Sequence, residues 1–393
     1  MSLPIWCHHD GHGAFELFEE FNSWIDEGGS ELAEDSFSPW QTIKQLREVG
    51  ISQPSKAFYA GDREGYRQVL LAYRQRTLQQ VLSQDELCLQ YGKKDGIHWF
   101  ERNEQRFNQL VNRLEQGMVV PFIGAGVSAA AGFPSWSDHL RQQARTAGIP
   151  VRTVNQLLKL GQYEQVIEQI ELQHGREIFA QEILDVFGRS TLVPSLCIHL
   201  VKLFEDTLIT TNYDRLLEQA LDSYQHLPQQ VINGVMAMTK PESGKVTLFK
   251  MHGDIKAPKC CILGKRQYDD AYGSPKLDLT KPIPKMLRYF FQNNSLLFIG
   301  CSLSNDRTLQ VFQTTKEEEG DIDFPQHFAF QQLPDNLKAL TKRNSELAHL
   351  GITVIWYPKG RHDQVEALLR AAINELNYRK AEAILANSLN LGH

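Results

Sequence analysis

For most of this 393-residue chain the sequence predicts a doubly wound α/β fold, a parallel sheet with helices on both faces, preceded by a mainly helical extension. Two observations carry that prediction. From Val119 onward, short apolar runs ending in Gly, Asn or His alternate with longer amphipathic stretches. Strands apolar on both faces that alternate with helices belong to a parallel sheet covered on both sides. Before residue 101 this alternation is missing, and apolar residues recur at helical spacing instead.

In chain order, residues 14–25 and 66–82 read as helices, the second through Leu70, Leu71, Tyr73, Leu78 and Val81. A helix over 101–116, with Phe107, Leu110, Val111 and Leu114 on one face, leads to Gly117. The predicted strands cover 119–123, 208–211, 247–251, 296–299, 327–330 and 352–356. Helices are predicted over 136–147, 154–172, 175–187, 213–223, 283–291, 306–314 and 363–377. The length exceeds what one core usually fills, so two units are expected. Residues 1–100 form the helical extension, a surface for an oligomer or partner contact, and residues 101–393 form the α/β domain with its C-terminal helices. The doubly wound part proper spans 118–376.

Composition excludes several classes. Hydrophobic residues at 42% and charged residues at 22% describe a folded globular chain rather than a disordered one. No stretch approaches the roughly 20 apolar residues that a bilayer span requires. No Lys or Arg precedes Lys44, so the charged start of a secretory signal is missing, and a cytoplasmic location is expected. The cysteines Cys7, Cys88, Cys197, Cys260, Cys261 and Cys301 form no CxxC pair, which argues against a disulfide framework and a four-cysteine zinc site. Cys7-His8-His9 with His12 crowds four donors into six residues, a poor tetrahedral set, and no metal is expected. The net charge is −6, yet residues 1–43 hold nine acids and no base. The remainder is weakly basic without a dense basic face, so nucleic acid is not an expected ligand. The acidic arm suits a basic partner surface or solvent.

In a doubly wound sheet, ligands bind at the carboxyl ends of the strands, so the residues after each strand carry the chemistry. The first strand runs into Gly124-Ala125-Gly126-Val127-Ser128-Ala129, which fits the G-x-G-x-x-G/A turn of a Rossmann-like fold. In that reading the glycines admit a diphosphate to the backbone and Ala129 allows close helix packing. A dehydrogenase would place a ribose-binding acid about 20 residues on, and Arg145 to Gly148 hold none, so hydride transfer is disfavoured. The next turn, Thr211-Asn212-Tyr213-Asp214, sets an amide beside the glycine turn where it can orient water; Asn212 or Asp214 can equally cap the following helix. The third turn, Met251-His252-Gly253-Asp254, offers a histidine suited to act as a general base near neutral pH, or a purely structural one. The fourth, Gly300-Cys301-Ser302, is a second Gly/Ser turn that suits ribose hydroxyls or phosphate.

Taken in order, GAGVS, TTNYD, MHGD and FIGCSLSND resemble the motifs of the sirtuin family. The resemblance implies NAD binding by Gly124, Ala125, Gly126, Ser128, Asp214, Gly300 and Ser302, with Asn212 and His252 catalytic. Two departures narrow it. Protein-deacylating sirtuins insert a four-cysteine zinc ribbon after the His-Gly motif, where this chain has only Cys260 and Cys261. The first motif continues Gly132-Phe133-Pro134-Ser135-Trp136 in place of Ile-Pro-Asp-Phe-Arg. What remains is similar to the bacterial sirtuin-like NADases of anti-phage defence, as is the strand over 352–357 with Lys359 and His362. That branch implies hydrolysis of NAD as substrate in abortive infection, in a homo-oligomer gated by a partner such as a HerA-type ATPase. A non-catalytic sensor of NAD or ADP-ribose derivatives and an NAD-dependent deacylase are the competing readings.

Overall fold

The computed structural model describes residues 12–29, 38–82, 97–224, 229–236, 238–257, 261–303, 306–320 and 322–390. The Cys7-His8-His9 run, Cys88 and Cys260 lie outside the described residues. The chain divides into two compact units, Gln105–Glu366 and a second made of Met1–Glu104 with Ala367–His393.

The first unit is built on a seven-stranded sheet, all parallel, in the order β3-β4-β2-β1-β5-β6-β7. Its strands are β1 (Val119–Ile123), β2 (Thr207–Thr210), β3 (Gln229–Asn233), β4 (Val246–Lys250), β5 (Ser295–Ile299), β6 (His327–Gln332) and β7 (Ile352–Tyr357). β1, β4 and β5 are buried along their whole length, as expected of strands covered by helices on both faces. The predicted doubly wound sheet is therefore present, each of the six expected strands within two residues of its expected place. β3 is an addition: an edge strand of sequence QQVIN in which only Ile232 is buried. The expected helix 154–172 is two helices, Val151–Lys159 and Tyr163–His174, broken where Gly161 adopts φ +72°. Helices Ser195–Leu203, Lys265–Tyr272 and Leu337–His349 were not anticipated, and the last helix runs on through Asp363–Asn390.

The strand order positions the site. After β1 the chain builds β2, β3 and β4 on one side, then returns to pair β5 on the other side, in register Val119 to Ser295 through Ile123 to Ile299. The order reverses between β1 and β5, and a ligand crevice is expected at the carboxyl end of that pair. No described helix is long and apolar enough to cross a membrane.

The second unit is helical, with Phe18, Phe21, Ile25, Trp40, Phe58, Tyr66, Ala381 and Leu385 in its core. Helices Ser38–Glu48 and Pro54–Gly61 belong to it, and the expected helix 14–25 is split into His12–Phe15, a 3-10 turn Glu16–Phe18 and Glu19–Asp26. Part of the acidic arm is used inside this unit. Glu20 accepts from Arg370 at 2.6 Å and from Asn374 at 2.9 Å, while Asp26 accepts the Ser55 N–H and hydroxyl at 2.8 Å each.

Two core histidines make the sheet unit sensitive to acid. His327 is fully buried, stacks on Phe291 with centroids 4.4 Å apart, and accepts the Leu296 N–H at Nδ1. Burial, with Lys316 nearby, holds its imidazole down to about 3. His139 lies buried against Trp136, and burial holds it to about 4. The unfolded chain titrates these groups near 6.5, so between pH 6.5 and about 4 it takes up protons that the folded chain refuses. Stability should fall on acidification through that window, by up to about 1.4 kcal/mol per pH unit for each histidine. Urea denaturation at pH 7.5, 6 and 5 reads this directly; a midpoint independent of pH would contradict it.

Candidate active site at the carboxyl edge of the sheet

The turns after β1, β2, β4 and β5 surround one cavity of about 730 Å³, within the range of small-molecule sites. All nine residues singled out from the sequence line it: Gly124, Ala125, Gly126, Ser128, Asn212, Asp214, His252, Gly300 and Ser302. Trp136, Tyr163, Phe187 and Tyr213 add an aromatic wall.

The glycine turn is shaped by its neighbour. Gly124 caps a single helical turn, Ala125–Ala129. The Gly126 N–H donates to Gly300 O at 2.9 Å, and a Cβ on Gly126 would stand 2.8 Å from Gly300 Cα. Gly300 adopts φ +67°, and a Cβ there would come within 2.7 Å of Val127 N. Both glycines are thus required by the interlock of two backbone turns. Because the Gly126 N–H is committed to Gly300, it is not a free donor for a diphosphate. Ala129 is exposed, so the close helix packing expected of it is not its role.

Asn212 is locked. Its N–H donates to Thr210 Oγ1 at 3.0 Å, and that hydroxyl donates to Ile123 O on β1 at 2.9 Å. The side-chain Nδ2 donates to Gly124 O at 3.0 Å and to Ser128 Oγ at 2.9 Å. A carbonyl only accepts, so this pairing fixes which end of the amide is nitrogen. Both hydrogens are spent and Oδ1 is left to meet a ligand or water. Ser128 donates in turn to Asp214 Oδ2 at 2.5 Å, and Asp214 Oδ1 accepts the Leu216 N–H at 3.1 Å, so Asp214 caps the next helix as well. The Ser128 hydroxyl proton therefore goes to Asp214, and the pair acts toward Asn212 rather than directly toward a diphosphate.

His252 sits against two tyrosines of helix Lys265–Tyr272. Its Nε2 lies 2.8 Å from Tyr272 Oη, and its Nδ1 3.5 Å from Tyr268 Oη. Burial holds its imidazole down to about 4, so the expected titration near neutrality is displaced and the ring is neutral at physiological pH. The same burial pushes the Tyr268 and Tyr272 hydroxyls up, keeping both protonated.

Beyond the nine, the site depends on residues that motif reading missed. Lys250, fully buried at the end of β4, donates to Tyr213 O at 3.1 Å, Asp214 O at 2.5 Å and Glu218 Oε1 at 3.0 Å, with Asp254 Oδ1 at 3.5 Å. A lysine inside an apolar strand is the signal that points to it, because such a charge must be paired. Arg307 grips Glu164 through two 2.7 Å bonds, Asp269 at 2.7 Å and Gly273 O at 2.8 Å. Arg343 Nη2 holds the carbonyls of Ser302 at 2.6 Å and Leu303 at 3.0 Å. That grip supports Leu303 at φ +48°, a conformation costing a non-glycine residue about 1–3 kcal/mol. Among the described residues, no group of three or more His, Cys, Asp or Glu is placed to hold a metal ion.

Residues 206–355, from β2 into β7, match the family model of the SIR2-like domain. The matched span holds Asn212, His252 and Gly300, while the Gly124 turn lies ahead of it. The NAD(+) hydrolase ThsA of Bacillus cereus (strain MSX-D12) is 30% identical over 222 residues, 56% of this chain and 44% of that protein. The ThsA proteins of Acinetobacter baumannii (29% over 171 residues, 43% of this chain and 34% of the relative) and Enterococcus faecium (27% over 205 residues, 51% and 40%) are also similar. The chain thus spans less than half the length of the curated relatives it matches.

Replacing Lys250 with methionine keeps its bulk but leaves buried Glu218 with only the longer Arg215 contact at 3.5 Å and takes a donor from the Tyr213 and Asp214 carbonyls. The expected loss is about 3–5 kcal/mol of stability, the cost of breaking a buried pair on one side. Equilibrium unfolding measures it, and a loss below about 1 kcal/mol would show the network to be dispensable.

Proposed function

We propose that this cavity binds NAD and that the chain hydrolyses its nicotinamide–ribose bond to nicotinamide and ADP-ribose. The observation that carries the reading is the convergence of an amide with only Oδ1 uncommitted, at Asn212, and a neutral imidazole, at His252, on one cavity floored by interlocked glycine turns. The names of the ThsA relatives point the same way.

Nicotinamide in NAD is already cationic and leaves as a neutral ring without a general acid. The protein has to stabilise an oxocarbenium-like anomeric carbon and deliver water to it. Asn212 Oδ1 orients the water and the ribose, held in aim by Gly124, Ser128 and Asp214. His252 takes a proton from a ribose hydroxyl or from the water. Ala125, Gly126 and the Gly300–Ser302 turn shape the diphosphate and ribose end through backbone. The aromatic wall offers stacking surface to the bases of the dinucleotide.

Uncontrolled NAD hydrolysis kills a cell, so an active site this complete implies restraint. The reading therefore includes a gated cytoplasmic effector of anti-phage defence, assembled as a homo-oligomer through residues 1–100 and released by a partner such as a HerA-type ATPase. The sensor and deacylase readings are outcomes of the same test.

Incubating the protein with NAD and identifying products should give free nicotinamide and ADP-ribose. Asn212→Ala and His252→Ala should each lower kcat by roughly 10²–10⁴-fold while the fold and NAD binding persist. Chelators should change neither fold nor turnover. Binding without cleavage, with or without the partner, would make the protein a sensor. Near-normal turnover in either folded variant would falsify the role given to that residue.

A further inference from the structure

Helix Lys265–Tyr272 presents Tyr268 and Tyr272 one turn apart, on the face that flanks His252. Both rings meet the imidazole edge to face, with centroids 5.2 and 6.0 Å away. The two tyrosines are not equivalent. Tyr268 lines the cavity and stands 3.5 Å from Nδ1, at the outer limit of a hydrogen bond. Tyr272 is fully buried, lies outside the cavity lining and makes the short 2.8 Å contact with Nε2. Its oxygen also hydrogen-bonds the side chain of Thr308, itself buried.

We propose that Tyr272 is a positioning residue for His252: its hydroxyl oxygen accepts the imidazole Nε2–H while its own proton is directed to Thr308, which pins the ring so that the unprotonated Nδ1 is the nitrogen that takes a proton from a ligand in the cavity. A histidine at a strand end has a free χ2, and either nitrogen can face a ligand unless something holds the other. In many active sites that holder is a carboxylate, which also raises basicity. Here it is a neutral phenol, so the ring is aimed without being charged. The pin is itself braced. The helix carrying it ends at Gly273, whose carbonyl accepts from Arg307, and Arg307 also grips Asp269 one turn earlier. Tyr272 therefore acts through His252 and touches no reacting atom.

This inference rests on His252 serving the NAD-cleaving site, and the test separates the two. Tyr272→Phe removes one oxygen and keeps the buried ring. It should lower kcat about tenfold and leave KM for NAD within about twofold. Nitrogen-15 NMR of the His252 side chain needs no turnover. The intact protein should show a single tautomer, and added ADP-ribose should move the Nδ1 resonance and leave Nε2 in place. In Tyr272→Phe the two nitrogens should average, and Thr308→Val should show a smaller effect in the same direction, which keeps the idea open to refutation if the first variant does not fold. An Nε2 resonance that moves with ADP-ribose, or spectra and kcat unchanged in Tyr272→Phe, would overturn the proposal. A protein that neither binds ADP-ribose nor cleaves NAD would remove the functional reading, while the comparison of the unliganded spectra would still decide whether Tyr272 pins the ring.

Discussion

The candidate site depends on one buried cation. Lys250 has three ammonium hydrogens and a fully enclosed side chain, and its partners come from both the Asn212 loop and the His252 loop. Two are the carbonyls of Tyr213 and Asp214, immediately after Asn212; Asp254 follows His252 by two residues. A loop at the open end of a strand has no sheet partner to satisfy its carbonyls; this ammonium donates to Asp214 O and adds a second donor to Tyr213 O, which also accepts the Ile255 N–H. Glu218 faces the charge, and burial pushes its carboxyl above the usual carboxylate range even with Lys250 beside it to draw it down. The desolvation of Lys250 is offset only because four groups converge on it, so the spacing between the Asn212 and His252 loops is held closely.

Around that anchor, Asn212 and His252 are held in opposite ways. Asn212 has its hydrogens committed and its oxygen uncommitted, an orientation enforced by groups that can only accept or that must donate elsewhere. His252 is held by one short bond on the interior side, with a ring that burial keeps neutral. Fixed dipoles of this kind need no reorganisation when charge develops in the transition state.

Much of the sheet was legible because its strands are buried on both faces and therefore read as unbroken apolar runs closed by a turn residue. β3 escaped because an edge strand needs only one buried face, and Gln229, Gln230 and Asn233 give no such run. The break at Gly161 was hidden because the apolar spacing resumes in phase across it. At the site, Asn212, His252 and the two glycine turns could be named since each follows its strand directly. Tyr272 and Arg307 could not, and Lys250 was marked only by being a charge inside an apolar strand. Their contribution is a contact across the fold, and a tyrosine on an amphipathic helix and an arginine at a helix start each have an ordinary local explanation. The role first given to Ala129 failed for a related reason: a motif position implies a neighbour, and here the neighbour of the turn is Gly300 rather than a packed helix.

The mutual seating of Gly126 and Gly300 also bears on how the chain comes into being. The two residues are far apart in sequence and meet only once β5 has paired with β1. During synthesis, a chain that has emerged just past β4 already holds Asn212, Lys250 and His252. It still lacks the backbone on which the first turn rests and the Arg307 grip that braces the helix of Tyr272. Contacts of such long sequence separation form late, after the loop-closure entropy has been met. The growing polypeptide therefore carries Asn212 and His252 before it has a finished pocket, and it matures only as the second half of the sheet pairs with the first.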